Sequence, residues 1–211
     1  DEAFDSIIRH GSTPQNYWWE AVDRNGITYY YGKSHNGEGV DNNSVLRDNS
    51  GNIAYWALTE MSDPHKNTVL YNYKVEIGTG MSSNSSNYGR QIYLKEIRYT
   101  NFDTDSGKYK ILFERYEGRP DISINAQYGF KQVTASTLCS VHITYETTAG
   151  PEPIRSYYFG YENGYQSNYK TRLTDVVRVD GDLKTGYSCG DPISELTGSD
   201  GWNGTLTHFD Y

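Results

Sequence analysis

The densest cluster of chemically capable side chains lies in LFERYEGRPDISI, Leu112–Ile124, which sets Glu114, Arg115, Glu117, Arg119 and Asp121 between apolar flanks. Such a cluster would be catalytic if its carboxylates converged on one substrate, as two carboxylates flank the sugar in glycoside hydrolysis. A strand over Tyr109–Glu117 divides them instead, because successive side chains alternate between faces. Ile111, Phe113, Arg115 and Glu117 share one side, and Leu112, Glu114 and Tyr116 the other. Gly118 permits a sharp bend after the strand, and Pro120 confines Arg119 to extended conformations while withholding one ladder hydrogen bond. The stretch therefore reads as a corner between two strands. Arg119, Pro120 and Asp121 form this structural corner, pinned by an ion pair from Arg119 to Asp121 or to a Glu, for which the planar guanidinium fork is well suited.

The remaining candidates for chemistry are weaker. The chain has 27 Asp and Glu, so some pair stands near any point, yet no motif selects one. His10, His35, His65, His142 and His208 are isolated, with no HExxH or related spacing. GxxxxGK is missing, and GxSxG occurs once, as Gly186-Tyr187-Ser188-Cys189-Gly190 in the irregular tail, with no strand-to-helix signal around it. No catalytic residue, metal ligand or cofactor-binding residue is assigned on these grounds, and the chain is expected to be no enzyme and to carry no cofactor. Asp41-Asn42-Asn43-Ser44 and Asp48-Asn49-Ser50-Gly51-Asn52 cluster the oxygen ligands that Ca²⁺ prefers. The same residues are ordinary turn formers, and no Glu follows at EF-hand spacing. Tyr29-Tyr30-Tyr31, Tyr157-Tyr158-Phe159, Trp18-Trp19, Trp56 and Trp202 could build a sugar-stacking platform, or could fill a core that has few aliphatic residues. Cys139 sits in an apolar strand context and Cys189 in a loop, and spacing alone does not say whether they pair.

Strand signals recur from end to end, while no window of a dozen residues sustains the apolar spacing of a helix. PQNYWWEAV is the best short helical candidate, and it alternates equally well as a strand. Tyr17–Gly32 is an apolar run, a turn at Asp23-Arg24-Asn25-Gly26, then a Tyr-rich run; Asn-Gly tolerates positive φ and marks a hairpin. Ile53–Gly78 repeats that plan around Asp63-Pro64-His65-Lys66-Asn67. Further strands are expected over 92–100, 109–117, 121–128, 138–146, 154–162 and 172–180. Their turns are rich in Gly, Asn, Asp and Pro, which makes an antiparallel meander of hairpins. Residues 35–52 and 78–90 read as Gly/Ser/Asn-rich loops, and the tail from Gly181 as irregular until LTHFDY. No composition shift marks a boundary, so residues 1–211 are expected to form a single all-β domain with few or no helices.

Composition agrees with a folded sheet protein. The 211 residues are only 36% hydrophobic, but they include 21 Tyr, 6 Phe and 4 Trp, and amphipathic rings favour half-buried sheet faces. A net charge of −8 without any Lys/Arg run excludes a phosphate-neutralising surface, so neither nucleic acid nor an anionic membrane is an expected partner. No apolar run approaches the ~18 residues of a membrane span. The opening DEAFDSI is read as the start of a mature protein or of an excised fragment.

The order of the pieces resembles the N-terminal region of the SpvB family, shared with the B component of bacterial Tc toxin complexes and related to the RHS/YD-repeat proteins. The residues that carry the resemblance are FDSIIRHG with WWEAVDRNGITYYYG, YWALTEMSDPHKNTVLYNY, IYLKEIRYTN, LFERYEGRPD and RLTDVVRV, with THFDY as a further repeat ending. Two departures stand out. The turn that usually reads Asp-x-x-Gly-Asn is here Asp63-Pro64-His65-Lys66-Asn67, and the Tyr-Asp repeat forms no tandem array. The ADP-ribosyltransferase activity associated with SpvB belongs to a separate domain with a Glu-x-Glu motif, which this chain lacks. The resemblance implies a curved sheet, or part of an RHS-like shell, in a larger secreted or surface protein of a bacterium. Its partners would be other segments of its own full-length chain and an effector segment enclosed by them. The other reading is a carbohydrate- or protein-binding β module on a bacterial surface.

Overall fold

The computed structural model describes residues 4–77, 89–103, 106–162, 170–183, 191, 193–197 and 204–209. Contacts divide the chain into two compact units, residues 1–108 with 124–133, and residues 109–123 with 134–211. The sequence carries no compositional mark at this division, because the strands on either side draw on the same Tyr-rich, charge-interleaved pattern.

The first unit contains β1 (Phe4–His10), β2 (Trp18–Asp23), β3 (Thr28–Tyr31), β4 (Val45–Arg47), β5 (Ile53–Trp56), β6 (Leu58–Ser62), β7 (Asn67–Ile77) and β8 (Arg90–Phe102). Six of them form an antiparallel run in the order β1-β2-β3-β6-β7-β8, and β4 pairs with β5 as a separate ribbon inserted between β3 and β6. The inserted ribbon supplies three of this unit's buried apolar residues, Val45, Leu46 and Ile53, and Ala57 follows it. Trp56 Nε1 donates to the Tyr17 carbonyl at 2.6 Å, and its ring meets Trp19 edge-to-face at 5.8 Å. A side chain at Gly32 would collide with that ring, since a Cβ there would lie 2.6 Å from Trp56 Cδ1. The expected loop over 35–52 thus hides a three-residue strand, β4, too short to show a period of two.

The second unit begins with β9 (Tyr109–Glu117). The chain passes through β10 (Ser123–Asn125) and β11 (Gln132–Thr134), two short paired strands, the latter meeting β8 at Gln132–Arg90. It continues with β12 (Ser136–Thr147), β13 (Gly150–Glu162), β14 (Arg172–Asp180), α1 (Ile193–Thr197) and β15 (Thr205–His208). Strands β9-β12-β13-β14-β15 form an antiparallel run in that order. The fold is accordingly all-β and antiparallel, with one five-residue helix among the described residues. That helix falls in the tail read as irregular. Its single turn is too short for a helical period, and it is held by packing Leu196 and Ile193 onto Tyr158, Val177 and Val179. The strand expected over 121–128 shortens to three exposed residues. The loop 78–90 lies outside the described residues up to position 88, as does Cys189.

Three hairpin loops of the first unit share one construction. Asp23, Asp48 and Asp63 each accept backbone N–H bonds at Oδ1 from the residues two and four positions on, at 2.8–3.0 Å. Asp48 and Asp63 also accept the side-chain amide of the Asn four positions on, at 2.9 and 2.8 Å. The fourth residue of each loop is left-handed: Gly26 at φ 78°, Gly51 at φ 83° and Lys66 at φ 70°. In the Asn25-Gly26 turn the positive φ therefore falls on Gly26 alone. Lys66 occupies a glycine position without being glycine, which costs about 1 kcal/mol. Its ammonium reaches Asp103 at 3.2 Å, but the pair is largely exposed and returns little.

Lys66→Gly is therefore expected to stabilise the protein by up to about 1 kcal/mol, and Gly51→Ala to destabilise it by a similar amount. Urea unfolding monitored by tryptophan fluorescence measures both. Equal midpoints for Lys66→Gly and the parent chain would refute the strain at Lys66.

Candidate functional site

The Leu112–Ile124 cluster is taken apart by the sheet. Arg119 donates from Nε to Asp121 Oδ1 at 2.7 Å and from an Nη to Oδ2 at 3.1 Å. Thr171 Oγ1 donates to the same carboxylate at 2.5 Å, and the Arg119 N–H reaches the Ala135 carbonyl at 3.2 Å. Gly118 bends the chain at φ 119°, and Pro120 is exposed. The Arg119 guanidinium, then the Thr171 hydroxyl, hold the Asp121 carboxyl far below the usual carboxylate range. Every strong donor near Asp121 is thus engaged with it, and the pair ties the end of β9 to the residue preceding β14. Glu117 is exposed, while Glu114 points into a different network.

That network has the connectivity of a nucleophile triad. Ser156 Oγ lies 2.9 Å from His142 Nδ1, and His142 Nε2 lies 3.2 Å from Glu114 Oε2, which also accepts from Ser140 Oγ at 2.9 Å. Two proton arrangements satisfy it. In one, a neutral ring donates from Nε2 to Glu114 and accepts the Ser156 hydroxyl. In the other, the imidazolium donates to both, and Ser156 turns its proton to the Asp182 carbonyl 3.2 Å away. The first is the ground state of an activated serine. Access decides against chemistry, because Ser156 is fully buried in the middle of β13, in register with His142 of β12 and Val179 of β14. No acyl carbon could approach its Oγ. What the chain of groups does is bind three strands together, with His142 lowering the Glu114 carboxyl below its ordinary value and Ser140 assisting.

A second concentration of polar groups lies in the first unit. Glu20, Tyr30, Glu60, Leu70 and Arg98 stand in one cross-strand row on β2, β3, β6, β7 and β8, and therefore on one face. His10 pairs with Glu20 at 3.1 Å. The loop after β3 lays His35 over Glu60, with Nδ1 2.6 Å from Oε1 and the backbone N–H 3.1 Å from Oε2. Between these two carboxylates the Tyr30 hydroxyl is pushed up, by burial first and then by Glu20 and Glu60. Beside Glu60 opens a cavity of about 500 Å³, bordered by Ser34, Asn36, Thr68, Leu70, Asn101 and Asp103 among others. This cavity was not legible in the sequence, because it forms only when β6, β7, β8 and the loop are assembled.

The other expected features take different places. The Trp18 ring is covered by His10, stacked at 3.8 Å, and by Lys33 Nζ at 4.6 Å. Tyr158 is buried against His142, and Trp202 lies outside the described residues. These rings pack rather than form an open platform. The Asp48 carboxylate, read as an oxygen ligand for Ca²⁺, is filled by three N–H donors of its own loop. Asp41 Oδ1 takes the Asn43 N–H. Cys139 is buried and disulfide-bonded.

The profile of the family described as Salmonella virulence plasmid 65kDa B protein, SpvB, matches residues 2–139. Among solved structures, the N-terminal domain of effector protein SpvB from Salmonella typhimurium strain LT2 is similar at a TM-score of 0.69 and 16% identity, over 83% of this chain and 65% of that one. A chain of the TcdB2-TccC3-Cdc42 complex is similar at a TM-score of 0.63 and 16% identity, over 84% of this chain and 10% of that one. The chain thus spans about two thirds of the first structure and a tenth of the second. No curated protein matches it.

Two outcomes follow from the geometry of the second unit. Asp121→Asn is expected to cost about 1–2 kcal/mol through lost charge-assisted hydrogen bonds. Because the native carboxyl titrates below its unfolded value of about 4, its contribution is complete above that pH and fades as the pH falls toward the depressed native value. The parent chain should therefore lose its advantage over Asp121→Asn between about pH 5 and pH 2, as read from thermal melts across that range. Ser156 should remain unlabelled by a fluorophosphonate probe, and Ser156→Ala should cost about 1–2 kcal/mol by leaving His142 Nδ1 unpaired. A labelled Ser156 would overturn its structural assignment.

Proposed function

The chain belongs to the SpvB family, matched over residues 2–139, and from that premise we propose that it is a non-catalytic wall section of a secreted, toxin-related bacterial protein. In this reading it helps to enclose or present an effector segment carried elsewhere in the full-length protein. The observation that carries the reading is the burial pattern. Along β8 and β9 most side chains on both faces are half-buried, without the alternation of a sheet that covers one core. Large apolar side chains stay exposed at Ile7, Ile8, Ile77, Ile122, Ile124 and Leu206, among others. Two of these lie on β1 and one on β15, strands that pair on one side only among the described residues. Exposed apolar edges are a liability in a free-standing domain and are normally covered. Neighbouring segments of the same protein would cover them here.

The fold shared with the SpvB N-terminal domain and with part of the TcdB2-TccC3-Cdc42 complex supports a structural role. The Cys139 disulfide supports an oxidising destination such as the periplasm or the exterior. No helix among the described residues is long and apolar enough to cross a membrane.

Amide hydrogen exchange separates this proposal from a self-sufficient domain. In the 211-residue chain alone, the outward-facing amides of β1 and β15 should exchange rapidly. In the longer gene product the same amides should be protected by at least tenfold. Equal exchange in the two proteins would overturn the wall reading, as would an isolated chain already protected at both edges.

A further inference from the structure

We infer that the cavity beside Glu60 is a binding site for a single neutral hexose ring. This goes beyond the wall reading and does not rest on it. The cavity, at about 500 Å³, falls within the ~300–1,000 Å³ of small-molecule sites. Its floor is one face of the sheet, where Glu60 pairs with Leu70 and Thr68 with Asn101 across the strands. One wall is the Ser34–Gly37 turn, closed by the Gly37 N–H on the Ser34 carbonyl at 3.0 Å. The other wall is Asp103 and Ser106.

The lining selects by chemistry. Hydroxyl and amide groups come from Ser34, Asn36 and Ser106, and Leu70 offers an apolar patch against which the C–H face of a sugar ring can lie. Glu60 supplies a carboxylate whose side chain is 1% exposed and fixed by the His35 N–H and Nδ1, one donor on each oxygen. Glu60 borders the cavity, and a pair of vicinal hydroxyls is the neutral group that matches a carboxylate acceptor. The frame is rigid, because Asn101 donates to the Thr68 and Arg98 carbonyls and accepts from the Gly107 N–H. Phosphates and acidic sugars are disfavoured by Glu60 and Asp103, and the Lys66 ammonium is already held by Asp103.

Folding alone gives little reason for Glu60. A carboxylate buried on an inner strand and held by the ring and backbone N–H of one exposed histidine bears a desolvation penalty that an apolar residue of similar volume would avoid. Residues that weaken a fold while facing a cavity are the expected signature of a binding site. The position therefore separates a structural from a binding role: Glu60→Gln should leave the melting temperature unchanged or higher while weakening recognition at least tenfold.

The test is ¹H–¹⁵N chemical-shift titration of the intact chain with D-glucose, D-galactose, D-mannose and N-acetyl-D-glucosamine in turn, with ethylammonium as a cationic control. At least one sugar should saturate with a dissociation constant on the order of 1 mM, typical of so small a ligand. The shifts should centre on residues 34–37, 60, 68–70, 101, 103 and 106. Binding should weaken at least tenfold in Glu60→Gln and in Asn36→Ala, the latter on an exposed loop where folding is not at stake. Absence of saturable shifts with all four sugars would overturn the assignment. So would shifts outside the cavity, saturation by ethylammonium alone, or undiminished binding in Asn36→Ala.

Discussion

A strand that is half-buried on both faces has no apolar side to tell it which register to keep. In an ordinary sheet a slip of one residue moves the whole apolar set into water, and that penalty fixes the pairing. Along β8 and β9 the penalty is small, because both faces are comparably covered. Register must then come from specific groups, and polar pairs across neighbouring strands supply it. His10–Glu20 ties β1 to β2, Lys110–Glu146 and His142–Glu114 tie β9 to β12, Arg155–Asp180 and Arg172–Glu162 tie β13 to β14, and His208–Asp175 ties β14 to β15. Singly, exposed pairs of this kind are worth well under 1 kcal/mol. Each disappears on a one-residue slip, so together they discriminate between registers better than they stabilise any one of them.

The same constraint explains the buried polar side of β12. Ser140, His142 and Thr144 are buried, while Val141 and Ile143 on the opposite face are only half-covered. Helix α1 adds cover on this side, packing on Tyr158, Val177 and Val179 of the two strands that follow. A buried network whose every member is satisfied specifies one arrangement of its strands, and it tolerates few alternatives because each would strand a polar group away from water. The Glu114–His142–Ser156 chain, which looks like catalytic machinery when reduced to distances, serves in this way.

Much of the fold was legible before any coordinates. Strand β14 runs over the residues its alternation predicts, β9 likewise, and β12 and β13 extend theirs by a few positions. The SpvB-family resemblance, drawn from the order of the motifs, agrees with the family match and with the fold of the solved relatives. What failed was short or non-local. Strand β4 has three residues and α1 five, too few to show a period. Lys66 shows in the sequence only as the residue standing where the Asp-x-x-Gly-Asn turn has its Gly; that the backbone keeps the left-handed conformation there is visible only in the structure. Arg119 and Asp121 lie two residues apart and could be paired from sequence reasoning. The partners of His142 are 14 and 28 residues distant, and the residues that border the cavity with Glu60 come from two loops and from β7 and β8. Only the register brings such groups together, and in this chain the register is itself set by side chains whose meeting cannot be read from periodicity.

The three Asp-closed loops also bear on how the chain reaches this state. Each is sealed by contacts that span at most four residues, from the Asp to the backbone and side chains just beyond it. A turn with so short a closure loses little chain entropy, and hairpins of this kind form in about 1–10 μs. β2–β3, β4–β5 and β6–β7 can therefore arise as independent nuclei. The slower events left to the first unit are the joining of finished hairpins and the addition of β1 and β8. A sheet assembled from prefabricated ribbons can grow strand by strand as the polypeptide is delivered, because the neighbours β6, β7 and β8 are also consecutive in sequence.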